Sequence, residues 1–245
     1  MQSHNAVIRL PRGRLSETTP WDARVAAWDE LAASPVFTRL AAQVLELASP
    51  RADEVVADLG AGTGLLSLPA ARSAAAVYAV DYSEPMLERL SQRAMADGLE
   101  NVHTVVADMR EVPLEDECAS VVVSSYAFHH LRDEGKALAL AEARRILRPG
   151  GRLVVCDMMF SLSLASRDRR IVGSMILGVA RKGPAGIVRL ARNAGRIAAG
   201  RWEHPASPES WRDLLEARYF VDIDVTLAES EAGIAFARRP EVREQ

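Results

Sequence analysis

The chain is short of cysteine, lysine and aromatic side chains, and it has no apolar run long enough to cross a bilayer. Its two cysteines, Cys118 and Cys156, are too few and too far apart for a disulfide framework or a cysteine-based metal cluster. No metal centre is expected. Of 30 Lys+Arg residues only Lys136 and Lys182 are lysines, an arginine bias that decides nothing about function. A net charge of -3 implies no bulk attraction to nucleic acid. Aromatics at 5% leave few rings for stacking on bases. No stretch of about 18 apolar residues suggests a spanning helix. No apolar core followed by a small-residue cleavage site opens the chain. The expectation is a cytoplasmic protein with no nucleic-acid partner; nothing in the sequence marks its oligomeric state.

What the chain does have is the stretch Glu54-Val55-Val56-Ala57-Asp58-Leu59-Gly60-Ala61-Gly62-Thr63-Gly64. It opens as a buried strand, continues through three alternate glycines, and leads at Leu65 into a helix start. Glycines let the backbone bend tightly and approach a ligand with no Cβ in the way. A dinucleotide site wants G-x-G-x-x-G with a pyrophosphate on the helix N-terminus. Here Leu65 stands where the third dinucleotide glycine would fall. Asp58 would repel a pyrophosphate, but it suits the ammonium of S-adenosylmethionine, directly or through water.

A length of 245 residues fits one α/β domain. Residues 1–49 read as a lead and cap helices, and residues 50–245 as the main domain with a helical lid inserted at 158–206. Residues 1–20 read as a loosely ordered lead. Two helices are expected from Trp21 to Ala48, the second capped by Ser34 with Pro35 at its first position. Trp21 and Trp28 recur at helical spacing and serve either as core of that helix or as a cover over the cleft.

A second strand, Ala76–Val80, ends in Asp81, about twenty positions after Gly60. That spacing suits an acid accepting from ribose hydroxyls; the alternative is a helix-capping carboxylate. Tyr82 is placed to pack on an adenine. Ser83 is the expected cap of a helix over Glu84–Asp97, with Gly98 beyond its end. Met86 on that helix is either core or cleft contact. A third strand, Val102–Ala107, ends in Asp108-Met109, suited to an adenine amine and its ring. A fourth, Ser120–Ser124, leads through Ser125 into Tyr126-Ala127-Phe128-His129-His130-Leu131. After an amphipathic helix, a turn at Arg148–Gly151 opens a fifth strand, Arg152–Asp157.

The runs D-L-G-A-G-T-G at 58–64, V-D-Y-S at 80–83, V-V-A-D-M at 105–109, A-F-H-H-L at 127–131 and R-I-L-R-P-G-G-R-L-V-V at 145–155 resemble the motifs of class I S-adenosylmethionine-dependent methyltransferases. The branch most alike is the small-molecule one around the ubiquinone and menaquinone C-methyltransferases. The resemblance implies a Rossmann-like α/β fold: a seven-stranded, mostly parallel sheet with its last strand antiparallel and helices on both faces. It implies cofactor contacts from Asp58, Gly60, Ala61, Gly62, Asp81, Tyr82, Asp108, Met109 and Ser125, to which Met86 is added as a candidate. The tail fits: Tyr219–Leu227 and Ile234–Ala237 read as strands around a turn, preceded by a helix capped at Ser207. The Asn-Pro-Pro-Tyr type motif of amino-directed nucleobase methyltransferases is absent after the fourth strand.

The acceptor is not fixed by such a resemblance. Residues 160–202 hold nine basic residues against the single acid Asp168, and 186–200 is two-sided, with Arg189, Arg192 and Arg196 on one helical face. Three readings stand: a lid with solvated arginines, a lid over a hydrophobic acceptor such as a quinone, polyketide or isoprenoid, and an amphipathic helix making peripheral membrane contact through 170–200. His129 and His130 are the candidate general bases, or they only shape their loop. An NAD(P)-dependent Rossmann reductase and a cofactor- or lipid-binding homologue without turnover are the alternatives to a methyltransferase.

Overall fold

The computed structural model describes residues 8–9, 21–160, 173, 177, 203–229 and 231–241. The 170–200 segment apart from Gly173 and Leu177, most of the 158–206 insertion and most of the lead lie outside the described residues. One mixed sheet organises the rest. Its strands are β1 (Ile8–Arg9), β2 (Val55–Leu59), β3 (Ala76–Asp81), β4 (Val102–Val106), β5 (Ala119–Ser125), β6 (Leu147–Met158), β7 (Val221–Leu227) and β8 (Ala232–Arg238). Their order is β1-β4-β3-β2-β5-β6-β8-β7. All neighbours pair in parallel except at β8, which runs antiparallel to both β6 and β7. That is the seven-strand architecture the sequence implies, plus one short strand. The extra strand corrects the reading of 1–20 as a loose lead: Ile8 and Arg9 pair with Val105 and Val106 at the sheet edge.

The helices described from end to end are α1 (Val25–Ala32), α2 (Pro35–Ala48), α3 (Ser67–Ala71), α4 (Glu84–Ala96), α5 (Asp133–Ile146) and α6 (Pro208–Glu216). Single 3-10 turns stand at Asp22–Arg24 and Phe128–His130. The central strand β5 is buried along its whole length, as a parallel strand covered on both faces must be. One core joins the sheet to α5 and α6 through Phe128, Leu140, Ile146, Trp211 and Leu215. The other joins it to α2, α3 and α4 through Leu40, Val44, Leu68 and Leu90.

Of the three expected caps only Ser207 caps by its side chain; Ser34 holds the N-cap position of α2 without a side-chain hydrogen bond. Ser207 Oγ accepts the N–H of Ser210 at 3.2 Å. Ser83 holds the N-cap position of α4 without capping it by its side chain; its hydroxyl donates to Asp22 Oδ1 at 2.8 Å instead. The N-terminal segment is thereby tied to the loop after β3. Further along, Asp29 takes Arg89 at 2.7 Å. Beneath the sheet, the fully buried Glu54 pairs with Arg152 at 2.7 Å. Arg152 also donates to the carbonyls of Ala48 and Ser49 at the end of α2. One guanidinium thus closes a helix C-terminus, where the last carbonyls lack partners, and joins it to β2 and β6.

Candidate functional site

In an open α/β sheet the ligand crevice lies outside the carboxyl ends of the strands, where strand order reverses. Here that point is between β2 and β5. A cleft of about 280 Å³ opens there, near the lower bound of ~300 Å³ common for small-molecule sites. Gly60 and Gly62 form its floor, with φ of 77° and 52°, a region that L side chains rarely adopt. A Cβ on Gly60 would stand 2.4 Å from Ala127 Cβ, and one on Gly62 would stand 2.9 Å from Trp28 Nε1.

Asp81 closes β3 inside this cleft. It accepts the N–H of Gly62 at 2.8 Å and that of Ser83 at 2.9 Å. Burial pushes its carboxyl up to about 6, against the pull of those two N–H groups. Asp108, at the end of β4, accepts two hydrogen bonds from the Arg110 guanidinium at 2.5 and 2.9 Å. Burial alone would raise its pKa, but the Arg110 contacts outweigh it and hold the carboxyl below the usual range. Tyr82, Met86, Met109 and Ser125 also line the cleft. Asp58 and Ala61 do not. Asp58 is buried and accepts from Ser67 Oγ at 2.6 Å; burial pushes it up to about 7, with the Asp81 charge adding to the rise.

The roof is aromatic. Trp21 and Trp28 both line the cleft and meet edge to face at 6.4 Å. The covering role is therefore the one the fold assigns them. Phe37 continues the cluster, 5.7 Å from Trp28 and 4.6 Å from Tyr126. Trp28 Nε1 and Ser125 Oγ are buried with no hydrogen-bond partner among the described residues. Buried polar atoms are normally paired, so two orphans on residues that line the cleft fit a polar ligand there. Arg110 and Tyr126 on this wall were not singled out by sequence reasoning as site residues.

The histidines divide. His130 lines the cleft, 4.9 Å from Trp21; the loss of hydration there and the neighbouring His129 lower its pKa. His129 is buried behind it. Its Nδ1 lies 2.6 Å from Asp157 Oδ1, and its backbone N–H reaches Asp157 Oδ2 at 3.1 Å. Burial opposes charge on His129, yet Asp157 and its hydrogen bond hold the pKa above the ordinary value. Asp157 was missed as a site residue although the same signal marks it: it sits near the carboxyl end of its strand, like Asp81. The sequence offers no metal-ligating cluster; the fold assembles His129, His130 and Glu203, with Glu203 brought in from far along the chain.

The family model for a methyltransferase domain matches residues 56–151. Over that span the chain matches a methyltransferase domain, and the sheet around it has the Rossmann-like fold of solved S-adenosylmethionine-dependent methyltransferases. Among curated relatives, a demethylmenaquinone methyltransferase of Clavibacter sepedonicus is 39% identical over 109 residues, covering 44% of this chain and 43% of that protein. The chain spans about half the length of the curated relatives it matches. A putative S-adenosylmethionine-dependent methyltransferase from Methanococcus maripaludis superposes with a TM-score of 0.64 at 20% identity, over 95% of this chain and 99% of that one. The [4+2]-cyclase SpnF superposes at 0.66 with 16% identity, over 90% and 94%. These two likenesses are of fold. The methyltransferase domain includes the glycine floor, Asp81, Asp108 and both histidines; Trp21, Trp28 and Asp157 lie outside the matched span.

The cleft fits the cofactor this domain implies. Cleft-lining Trp28 and Ser125 each keep an orphan polar atom, Asp81 retains acceptor capacity beside its two N–H partners, and a Cβ on Gly60 or Gly62 would displace Ala127 or Trp28 from the lining.

Proposed function

We propose that the whole protein is an S-adenosylmethionine-dependent methyltransferase acting on a small hydrophobic acceptor of quinone-like or other natural-product character. The observation that carries this reading is the two-glycine floor, with the Trp28 ring against Gly62 and the Asp81 carboxylate accepting the Gly62 N–H. The bound cofactor supplies a sulfonium methyl, a centre already activated for in-line displacement by an oxygen, carbon or nitrogen. The chain's residues bind, orient and keep water out. Asp81 accepts from the ribose hydroxyls, and Met86 and Met109 pack on the nucleoside. Trp21, Tyr126 and Leu131 form an apolar wall on the acceptor side. His130 stands on that wall, unprotonated near neutral pH because burial and the neighbouring His129 lower its pKa to about 3; so weak a base orients the acceptor by accepting its hydrogen bond rather than by removing its proton. The name of the Clavibacter relative supports a quinone-like acceptor. The arginine-rich 170–200 segment adds a proposed route to a lipid-borne one, on sequence grounds alone.

Calorimetry with S-adenosylmethionine and S-adenosylhomocysteine, with NADH as control, tests the cofactor. Methyl transfer to a panel of hydrophobic phenols, quinones and lipids then tests the acceptor. Saturable binding of both sulfur nucleosides and turnover on at least one panel class is expected. NADH binding with no binding of either nucleoside would move the assignment to a reductase.

A further inference from the structure

We propose that His129, His130 and Glu203 form a site for a divalent first-row transition ion, zinc foremost, at the edge of the cleft. Each side chain offers one ligand atom, and the three atoms lie within 4.8 Å of one another. Adjacent residues of a strand point to opposite faces. The 3-10 turn Phe128–His130 instead brings the two rings to one side, with centroids 3.9 Å apart.

The supporting shell is built. Asp157 is buried and accepts the backbone N–H groups of His129 and Met158 besides lying 2.6 Å from His129 Nδ1. With the carboxylate as acceptor, the ring hydrogen sits on Nδ1 and Nε2 keeps its lone pair. A carboxylate behind a histidine is the usual outer partner of a metal-bound imidazole. Glu203 is carried to the rings by backbone. The N–H of His204 donates to the His129 carbonyl at 2.6 Å. The buried Lys136 Nζ donates to the carbonyls of His204 at 2.6 Å and Leu131 at 2.7 Å. These bonds staple 203–204 onto the histidine turn.

Two imidazoles and one carboxylate suit zinc or iron(II). Three protein ligands leave a coordination position for water or substrate. His130 also lines the cleft, so that position adjoins it. An acceptor oxygen bound there would lose its proton more readily, which favours hydroxyl, phenol or enol acceptors. This consequence rests on the methyl-transfer reading; the metal site does not.

The test uses the full chain, stripped with a chelator and dialysed, then titrated with zinc in the calorimeter and with cobalt(II) by visible absorption. One equivalent should bind, with ligand-field bands of a low-symmetry cobalt site. E203Q and H130A should each weaken binding tenfold or more, and D157N by about 10- to 100-fold. E203Q should leave the circular dichroism and S-adenosylmethionine affinity unchanged. No saturable metal binding by the wild type, or wild-type affinity in E203Q, overturns the site. Nucleoside binding measured on the same stripped protein separates that failure from failure of the methyltransferase reading.

Discussion

Single residues set the ligand chemistry of the cleft. Gly62 has a left-handed φ of 52° and the Trp28 ring above it, so Gly62→Ala strains the backbone and pushes on a packed aromatic at once. S-adenosylmethionine affinity should fall at least tenfold by calorimetry, while far-UV circular dichroism stays native. The carboxyls of Asp58 and Asp81 are raised to about 7 and about 6. In the unfolded chain each would titrate near 3.8. A raised carboxyl contributes stability that is full below its unfolded pKa and lost as pH rises through its folded pKa. The ligand-free melting temperature should therefore fall between about pH 4 and pH 7, and Asp58→Asn should flatten that decline. A cationic nucleoside favours the ionised carboxylates, so binding should release protons and tighten from pH 5 to pH 8. Calorimetry in buffers of different ionisation enthalpy measures the release; proton uptake would contradict this assignment of the buried acids.

Elements are held in register by a few buried charges. Glu54 immediately precedes β2, Arg152 lies on β6, and the Ala48 and Ser49 carbonyls end α2; one guanidinium serves all three. Removing one partner of a buried pair leaves an uncompensated charge, at a cost of ~3–5 kcal/mol. Glu54→Ala should lose that much by urea unfolding, because Arg51 and Arg148, which also reach Glu54, add like charge beside the stranded Arg152; Arg152→Ala should lose less, since those two arginines still partner Glu54. The double variant Glu54→Leu, Arg152→Met should recover part of it, since apolar replacement removes the stranded charge. Lys136 plays the corresponding part on the other face of the sheet, with α5 reaching the 203–204 segment. Lys136→Met should cost about 1–3 kcal/mol through unpaired carbonyls, and it should weaken the proposed metal site along with the fold.

For the molecule as a whole, what could be read from the chain divides along a physical line. Strands ending in acids were legible because apolar runs broken by glycine and aspartate have local causes, and Asp81 and Asp108 fell where the spacing put them. The turning of Asp58 to Ser67, outside the cleft, was not, because a rotamer and its partner leave no periodic trace. Ile8–Arg9 was missed because two residues carry no pattern. Glu203 was missed because only long-range hydrogen bonds bring it to the histidines. Trp21 and Trp28 could be read as core or as cover, since a helical repeat serves both; packing decides, and it makes them the roof. That roof is fastened at Asp22 to Ser83 and at Asp29 to Arg89, so the 21–33 segment that carries both tryptophans is tied to the loop after β3 and to α4. Bound nucleoside then links roof to floor. At 100 times its dissociation constant a ligand specific for the folded state adds ~2.7 kcal/mol. The melting temperature should rise accordingly, hydrogen exchange in 21–33 should slow more than in α6, and tryptophan fluorescence should change on binding. In Trp28→Phe the fluorescence response should shrink, and the protection of 21–33 with it. Equal slowing across the fold, with no preference for this segment, would show that the roof does not couple to the ligand.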